Sequence, residues 1–377
     1  MTSAPLSGVR VVEIGNYMSV PFAAMMLADL GADVVKVEPP KGDPFRRFGR
    51  PKGAMAAVFV NANRGKKSVM LDLKQETDRD QLRSLLRDTD VVLSNWRPGV
   101  AARLGLGDDA LAELNSRLIR VYVSGYGSTG PDSDKPSYDS VVQARSGLTW
   151  AQGGDGEPML AVGYLVDKMT ATMAAQATIA ALYRRSATGE GDAIEVPMLD
   201  VMAYLNFPEI FATRTFVDDE PVDARNRQMM ANHPLQALDG WVLLSPVSAD
   251  QIRDAFAAVD HPEWAEAVLA EKDGFEMTKL LIERIESQTR SLTVAECITR
   301  FDALDVPVGQ CVDPDQHLAD AQVVHNELYE IVEHPQLGRV RQVRYPARSH
   351  RWGALRGGAV APMLDADREQ VFGGTTD

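Results

Sequence analysis

The first half of the chain alternates between short apolar runs and stretches with helical spacing. The runs are rich in β-branched residues and predict buried parallel strands; they lie at 9–15, 33–40, 67–73, 90–96 and 118–126. The first helical stretch, PFAAMMLADLGA, should end at Gly31, a residue suited to a helix C-terminus. Strands that alternate with helices predict an α/β fold with a doubly wound, mostly parallel sheet.

The second half has a less regular pattern. A long helix is predicted from about residue 168 to 185, and residues 207–235 are polar and contain proline, as is typical of a linker. A mixed α+β unit then begins at DGWVLLSPVSADQIRDAFAAV. We expect a large domain over 1–206, completed by the C-terminal segment 330–377, and a small domain over 236–325.

Composition limits the class of protein. The net charge of −14 argues against nucleic-acid binding, because phosphate backbones require a basic face. The N-terminus lacks a basic region that leads into an apolar stretch, and the longest apolar helical run is shorter than the roughly 20 residues that a bilayer requires. The two cysteines, Cys297 and Cys311, form no paired motif. We expect a cytoplasmic protein that does not bind membranes.

Familiar active-site motifs lack their required context. GYGSTG at 125–130 has the spacing of a dinucleotide-binding loop, but the PDSDKP that follows cannot open the necessary helix. The six histidines all lie beyond residue 230 without metal-ligand spacing, so no metal site is predicted. The G-x-S-x-G turn of hydrolases does not occur either.

One acid, Asp167, stands at the start of the long helix in VGYLVDKMTATMAAQ. It could be a first-turn acid that stabilises the helix by about 0.3–1 kcal/mol. It could also be a nucleophile, since Gly163 and the small residues of the helix leave room for a ligand. With an ordinary pKa near ~4 it would be ionised at neutral pH and need no partner base to attack an acyl group. The residues alone leave both interpretations open.

Basic residues cluster in PFRRFGRPK (44–52), NANRGKKS (61–68) and NWRPGVAARLG (95–105). Each cluster could be a solvated surface. Together, beside glycine or proline and near predicted strand ends, they fit a polyanionic small molecule, because ligands of open α/β sheets bind there and arginine pairs well with phosphate oxygens.

Several of these segments, in fixed order, resemble the family III CoA-transferases, which include formyl-CoA:oxalate and carnitine CoA-transferases and have the α-methylacyl-CoA racemases as relatives. The resemblance covers residues 6–205 and is carried by PLSGVRVVEIG, MMLADLGADVVKVEPPKGD, NANRGKKSVMLDLK, DVVLSNWRPG, RLIRVYVSGYGSTGP, YDSVVQARSG and VDKMTATMAAQATIAALYRRSATGEGDAIEVPMLD. The second half matches loosely, through DGWVLL and FDALDVPVGQCVDPDQHLAD.

The resemblance implies that Asp167 is the nucleophile and carries CoA as an aspartyl thioester between an acyl-CoA and a free carboxylic acid. CoA would then be a substrate, with no permanently bound cofactor. The implied CoA contacts are Met18, Ser19, Leu71, Asp72, Leu73, Lys74, Asn95, Trp96, Arg97, Arg103, Lys135 and Met198. Pro39 stands where some members place an arginine near the adenine, a contact that is lost unless Lys41, Arg46 or Arg47 supplies it.

The resemblance also implies a Rossmann-like large domain, a smaller domain and an interlocked homodimer. The racemases add a histidine that would fall at about Tyr138, and because tyrosine is a poor base at neutral pH, transfer is favoured over racemisation. A non-catalytic CoA-binding protein is a third alternative. The run of glycines that closes over the site of formyl-CoA transferases is absent after residue 205, which argues against oxalate as a substrate. A succinyl-type or other short-chain acyl-CoA is the donor that the family implies.

Overall fold

The computed structural model describes residues 4–154, 156–218, 232–349, 351–354 and 359–373. They form two compact units. The large unit comprises Met1–Thr149, Leu160–Asn206 and His325–Asp377, and the small unit comprises Trp150–Met159 and Phe207–Val324. Within the predicted linker, residues 219–231 lie outside the described residues.

A six-stranded parallel sheet forms the centre of the large unit. The strands of this part of the chain are β1 (Arg10–Ile14), β2 (Asp33–Glu38), β3 (Pro51–Lys52), β4 (Met55–Ala56), β5 (Lys66–Met70), β6 (Val91–Ser94), β7 (Ile119–Ser124) and β8 (Asp192–Pro197). The sheet order is β5-β2-β1-β6-β7-β8, and β3 and β4 form a separate hairpin. The predicted α/β fold with a parallel sheet is confirmed. Because the order reverses between β1 and β6, the loops after these strands face one crevice.

Helices connect the strands. They are α1 (Ser19–Asp29), α2 (Ala57–Asn63), α3 (Glu76–Arg87), α4 (Val100–Arg103), α5 (Asp108–Leu114), α6 (Asp139–Arg145), α7 (Leu148–Gln152), α8 (Leu165–Thr188) and α9 (Met198–Asn206). Helix α8 has 24 residues, ends at Gly189 in the left-handed region (φ 77°) and packs against α1. The contact is close because both helices bury small residues there, such as Ala24 and Ala174. Among the described helices, none is long and apolar enough to cross a membrane.

The small unit is built on a three-stranded antiparallel sheet of Leu235–Gln236, Trp241–Leu244 and Val308–Gln310. Its helices are Ala249–Ala258, Ala265–Leu269, Gly274–Thr289, Val294–Asp302 and Pro314–Ala319. They share a core of buried apolar residues that includes Phe256, Ile285 and Phe301. Ala321–His325 follows, and the chain then forms the hairpin of Tyr329–His334 and Gly338–Val343.

The C-terminal strap, which we define as residues 359–373, covers the outer edge of β5. The Ser68 N–H donates to the Asp367 carboxylate at 2.8 Å, and the Met70 N–H donates to the Asp365 carboxylate at 2.8 Å. The Asp367 N–H in turn donates to the Ser68 carbonyl at 3.1 Å. Side-chain carboxylates thus replace a neighbouring strand and pair an edge that would otherwise be exposed.

Asp367→Ala removes the acceptor of the Ser68 N–H. We expect it to lower the free energy of unfolding of the large unit by about 1–3 kcal/mol, because a buried amide is left unpaired. Glu113→Ala, at an exposed helical position, is the control and should change it by less than about 0.5 kcal/mol. Urea denaturation followed by circular dichroism compares them. Equal stability of the two variants would contradict this role of the strap.

Candidate active site

Two asparagines tie together the loops that follow β1 and β6. The Asn16 N–H donates to Asn95 Oδ1 at 3.1 Å, and Asn95 Nδ2 donates to the Asn16 carbonyl at 2.8 Å. The amide of Asn95, a predicted CoA contact, is therefore used within the protein. Its effect is to fix the two loops relative to each other at the crevice.

A cavity of about 220 Å³ lies at this edge of the sheet and contains Asp167. The sequence-predicted residues that line it with Asp167 are Ser19, Asn95, Trp96, Arg97, Lys135 and Met198. Arg97 is exposed, whereas Lys135 pairs with Asp132 at 2.5 Å. Residues from the loops after β1 and β6, from the end of β7 and from the start of α8, far apart in the sequence, are thus brought to one place.

A second cavity, of about 250 Å³, brings together Leu71, Asp72, Leu73 and Lys74, the loop after β5. Pro39 and Trp96 line it as well. Asn16 and Trp96 line both cavities, so the two adjoin at these residues. We refer to them as the Asp167 cavity and the Leu71 cavity.

Met18 and Arg103 line neither cavity. The side chain of Met18 is buried in a hydrophobic cluster with Phe45 and Phe59. Arg103 is exposed at the end of α4. The contacts of both residues with CoA stay predictions.

Three basic residues of the clusters that the sequence suggested for a polyanion are buried in ion pairs. Arg46 pairs with Glu38 at 2.6 Å, Arg64 with Asp29 at 2.5 Å, and Lys66 with Glu13 at 2.7 Å. A buried and paired cation cannot meet a ligand in the crevice, so the prediction is wrong for these side chains, including Arg46 as an adenine contact. Lys41 and Arg47 are exposed.

Asp167 lies in the first turn of α8 and is half-buried. Its carboxylate accepts a hydrogen bond from the Ser19 hydroxyl. Its backbone N–H donates to Asp139 Oδ2 at 3.0 Å. Asp139 is the buried first residue of α6, and its other oxygen accepts from Gln143 Nε2 at 2.6 Å. The carboxyl group of Asp139 therefore lies beside Asp167, and both acids stand at the starts of helices.

The pKa of Asp167 is raised from 3.8 to about 7. Burial is the largest cause, the negative charge of Asp139 acts in the same direction, and the hydrogen bond from Ser19 opposes both. The expectation of an ordinary pKa is therefore wrong, because the sequence does not reveal either the burial or the neighbouring acid. Near neutral pH a substantial fraction of the free enzyme carries a protonated Asp167.

Tyrosines surround this carboxyl group. Tyr17 and Tyr138 line the Asp167 cavity, and their rings meet edge-on with centroids 5.8 Å apart. Burial, a hydrogen bond and the charge of Tyr138 raise the pKa of Tyr17. Burial and the charges of Asp167 and Asp139 raise the pKa of Tyr164, the residue that precedes α8. The hydroxyl groups of Tyr17 and Tyr164 therefore stay protonated at neutral pH and can donate hydrogen bonds.

Asp139 and Tyr17 were not predicted from the sequence. Asp139 had a detectable signal, since an acid four residues before Gln143 at a helix start can be bridged by that amide. Tyr17 had no detectable signal in the sequence. Its backbone lies in the left-handed region (φ 67°), which residues other than glycine rarely adopt. Within the described ranges, no group of three or more His, Cys, Asp or Glu side chains is placed to hold a metal ion.

Comparison with known proteins identifies the family. The chain matches the family described as CoA-transferase family III over residues 6–368. A succinyl-CoA–D-citramalate CoA-transferase of Chloroflexus aurantiacus is 31% identical over 380 residues, which cover 98% of this chain and 93% of that protein. A formyl-CoA:oxalate CoA-transferase of Streptomyces avermitilis is 30% identical over 389 residues, with coverage of 92% and 90%.

The fold agrees with this assignment. The crystal structure of Rv3272 from Mycobacterium tuberculosis has a TM-score of 0.85 and 27% sequence identity to the chain, and covers 99% of this chain and 100% of that one. The resemblance read from the sequence is confirmed. The chain belongs to CoA-transferase family III and is an enzyme that transfers CoA from an acyl-CoA to a carboxylate.

Proposed function

We propose that the enzyme transfers CoA through a covalent aspartyl-CoA thioester on Asp167. The observation that carries this proposal is the junction of the two cavities at Asn16 and Trp96. An acyl-CoA whose nucleotide lies against the loop of Leu71 to Lys74 can extend past Trp96, with its thioester beside the Asp167 carboxylate. Arg97 and Lys135 provide positive charge along this path.

The proposed reaction exchanges one acyl bond at a time. A carboxylate oxygen of Asp167 attacks the thioester carbonyl, the carbon–sulfur bond breaks, and a mixed anhydride and CoA thiolate form. The thiolate then attacks Cγ of Asp167, and the original acyl group leaves as a free carboxylate. An acceptor carboxylate attacks the aspartyl thioester and forms a second anhydride. The released thiolate attacks the acceptor carbonyl, which yields the new acyl-CoA and restores Asp167.

Each attack places negative charge on a carbonyl oxygen, which hydrogen-bond donors must stabilise. The N–H of Asp167 already donates to Asp139, so it does not serve this purpose. We propose that the hydroxyls of Tyr17, Tyr138 and Ser137, which line the Asp167 cavity, are the donors. Gly125 permits the approach of Ser137, since a Cβ at position 125 would lie 2.1 Å from Ser137 Oγ.

The surroundings of Asp167 favour transfer over racemisation. Racemisation requires a second base that faces the α-carbon of the acyl group. Tyr138 occupies the expected place of that base. The neighbouring Tyr17 and Tyr164 have raised pKa values, so even less of each is ionised and available as a base near neutral pH. A carboxyl group with a pKa near 7 in a ligand-sized cavity also favours catalysis over binding alone.

We propose a short-chain donor of the succinyl type and a small carboxylic acid as acceptor. The name of the Chloroflexus relative supports a succinyl donor, and the small Asp167 cavity limits the size of the acyl group. We also propose the homodimer that the resemblance implies. Tyr183 on α8 and Tyr204 on α9 are 81% and 72% exposed, as expected of apolar side chains that a second subunit covers.

Asp167→Asn should abolish the covalent intermediate and lower kcat by about 10³-fold or more, because the amide is not a nucleophile. CoA affinity should be retained, since the contacts of the nucleotide are untouched. Mass spectrometry of quenched reactions with a panel of acyl-CoAs detects a CoA adduct on the peptide that contains residue 167.

Asp250→Asn is the matched control for this experiment. Asp250 is likewise a first-turn acid of a helix, but it is exposed and belongs to the small unit, so adduct formation should be unchanged. If the wild-type enzyme forms no adduct with any donor and instead exchanges deuterium at an acyl α-carbon, the proposal is wrong and the enzyme is a racemase.

The pH profile of kcat/KM should report the ionisation of Asp167. Because the carboxylate must be ionised to attack, activity should fall as the pH drops through about 7. Asp139→Asn removes the negative charge that raises this pKa, so the falling limb should move to lower pH. Asp109→Asn, an exposed acid at the start of α5, should not move it. An unshifted limb in Asp139→Asn would show that Asp139 does not set the charge state of the nucleophile.

A further inference from the structure

Two lysines and two acids form an ion cluster inside the large unit. Lys36 Nζ lies 2.6 Å from Glu13 Oε1 and 2.9 Å from Asp43 Oδ2, and Lys66 Nζ lies 2.7 Å from Glu13 Oε2. All four side chains are fully buried. We call them the buried tetrad. Apolar residues of similar volume are often at least as stabilising as buried ion pairs, so the fold alone gives no reason for such a cluster.

Three members of the tetrad contact the backbone of one short segment, residues 15–21, which joins β1 to the first turn of α1. Lys36 Nζ donates to the Gly15 carbonyl at 2.9 Å. Lys66 Nζ donates to the Pro21 carbonyl at 2.7 Å. Asp43 Oδ1 accepts from the N–H of Tyr17 at 3.2 Å. The tetrad therefore binds this segment at its beginning, middle and end.

The segment requires such support because its conformation is unfavourable by itself. Tyr17 adopts φ 67°, which costs a non-glycine residue free energy that the surroundings must offset. Gly15 is packed so tightly that a Cβ would lie 2.4 Å from Val20 Cγ1. A segment with these constraints keeps one conformation only if other groups fix its backbone.

This segment also carries side chains of the active site. The Ser19 hydroxyl donates to the Asp167 carboxylate, and Tyr17 lines the Asp167 cavity. We infer that Lys36, Asp43 and Lys66 are positioning residues for CoA transfer, which hold segment 15–21 so that the Ser19 hydroxyl reaches Asp167. This inference rests on the proposed aspartyl-CoA mechanism. The tetrad touches neither Asp167 nor the cavity that holds it, so its effect passes through the segment.

A second buried ion pair provides a natural comparison. Asp29, the last residue of α1, pairs with Arg64 at 2.5 Å and is buried to a similar degree. The hydrogen bonds from Arg64 to Asp29 hold the far end of α1. Among the described contacts, no hydrogen bond joins this pair to residues 15–21. Loss of this pair removes a buried ion pair without releasing the segment.

The test compares Asp43→Asn with Asp29→Asn. Loss of the Ser19 hydrogen bond raises the pKa of Asp167, so in Asp43→Asn the acid limb of kcat/KM should move to higher pH. A shift of about one pH unit means that, at pH values below the pKa of Asp167, the variant forms the aspartyl-CoA adduct about tenfold more slowly than the wild-type enzyme. CoA affinity should change by less than about threefold, because most of the lining of the Leu71 cavity, including the loop of Leu71 to Lys74, lies outside segment 15–21. Asp29→Asn should lower the free energy of unfolding without shifting the acid limb of kcat/KM.

The other groups that face Asp167 remain in place in both variants. They are Asp139 from α6, Tyr164 before α8, and Tyr138, Lys135 and Arg97 around the cavity. Tyr17 belongs to segment 15–21, so we expect it to be released together with Ser19 in Asp43→Asn. Ser19→Ala supplies the reference, since it removes the same hydrogen bond directly and should shift the limb in the same direction. If the tetrad acts through Ser19, Asp43→Asn in the Ser19→Ala background should add little further shift.

Charge-balanced variants keep the inference testable if Asp43→Asn does not fold. Lys36→Met combined with Asp43→Asn removes one charge of each sign, and Arg64→Met combined with Asp29→Asn is its control. The first pair should shift the acid limb and the second should not. If the acid limbs of the two double variants lie at the same pH, the inference is wrong. Failure of the wild-type enzyme to form an adduct would instead overturn the proposed mechanism, so the two failures are distinguishable.

Discussion

A charge inside a protein must be paired, and the large unit is arranged around this constraint. Glu13 in the middle of β1 lies between two buried lysines, and burial lowers the pKa of Lys66 to about 8 even beside this carboxylate. Burial alone would raise the pKa of Glu38, but hydrogen bonding to Arg46 and the charge of Lys36 outweigh it and lower the pKa to about 2. These contacts link β1, β2 and β5 to the loops above them, so the sheet and the mouth of the crevice are fixed by the same interactions.

Asp167 and Asp139 are the exception to this pairing. They are two acids at neighbouring helix starts, and within the described residues neither carboxyl group forms an ion pair with a lysine or arginine. In the proposed reaction this arrangement changes during turnover. An ionised Asp167 beside Asp139 repels an incoming carboxylate, whereas the aspartyl thioester is neutral. The acceptor therefore meets one negative charge instead of two, which favours its entry after the donor has reacted.

The sequence predicted five of the six strands of the parallel sheet, because strands buried on both faces are continuous apolar runs such as VVLS in β6. It did not predict β8, because the segment DAIEVP is at the edge of the sheet, has charged residues and buries only Val196 fully. It also located Asp167 at a helix start. It could not assign Lys66, Arg46 and Arg64, since a basic residue beside glycine has the same local pattern whether it meets solvent, a ligand or a distant acid. Their acidic partners lie inside or at the ends of apolar elements, as Glu13 does in RVVEI.

The raised pKa of Asp167 was beyond sequence reasoning for a related reason. It depends on burial and on an acid 28 residues earlier in the chain, and only the packing of α6 against α8 brings the two together. Tyr17 is similar: its N–H, in a backbone of unusual conformation, donates to Asp43, which is separated from it by an entire helix and strand. Helices and strands that local sequence patterns determine were predictable. The chemistry of the site was not, because it depends on contacts between segments that are distant in the sequence.

The strap on β5 also has a consequence for synthesis of the protein. Ser68 and Asp367 are separated by 299 residues, so the ribosome produces the outer strand of the sheet long before the segment that covers it. During that interval the nascent large unit has an unpaired strand edge, to which another extended chain can add. The small unit is synthesised entirely within this period. The domain that begins first is thus completed last, and the interval before completion is when the chain is most exposed to aggregation.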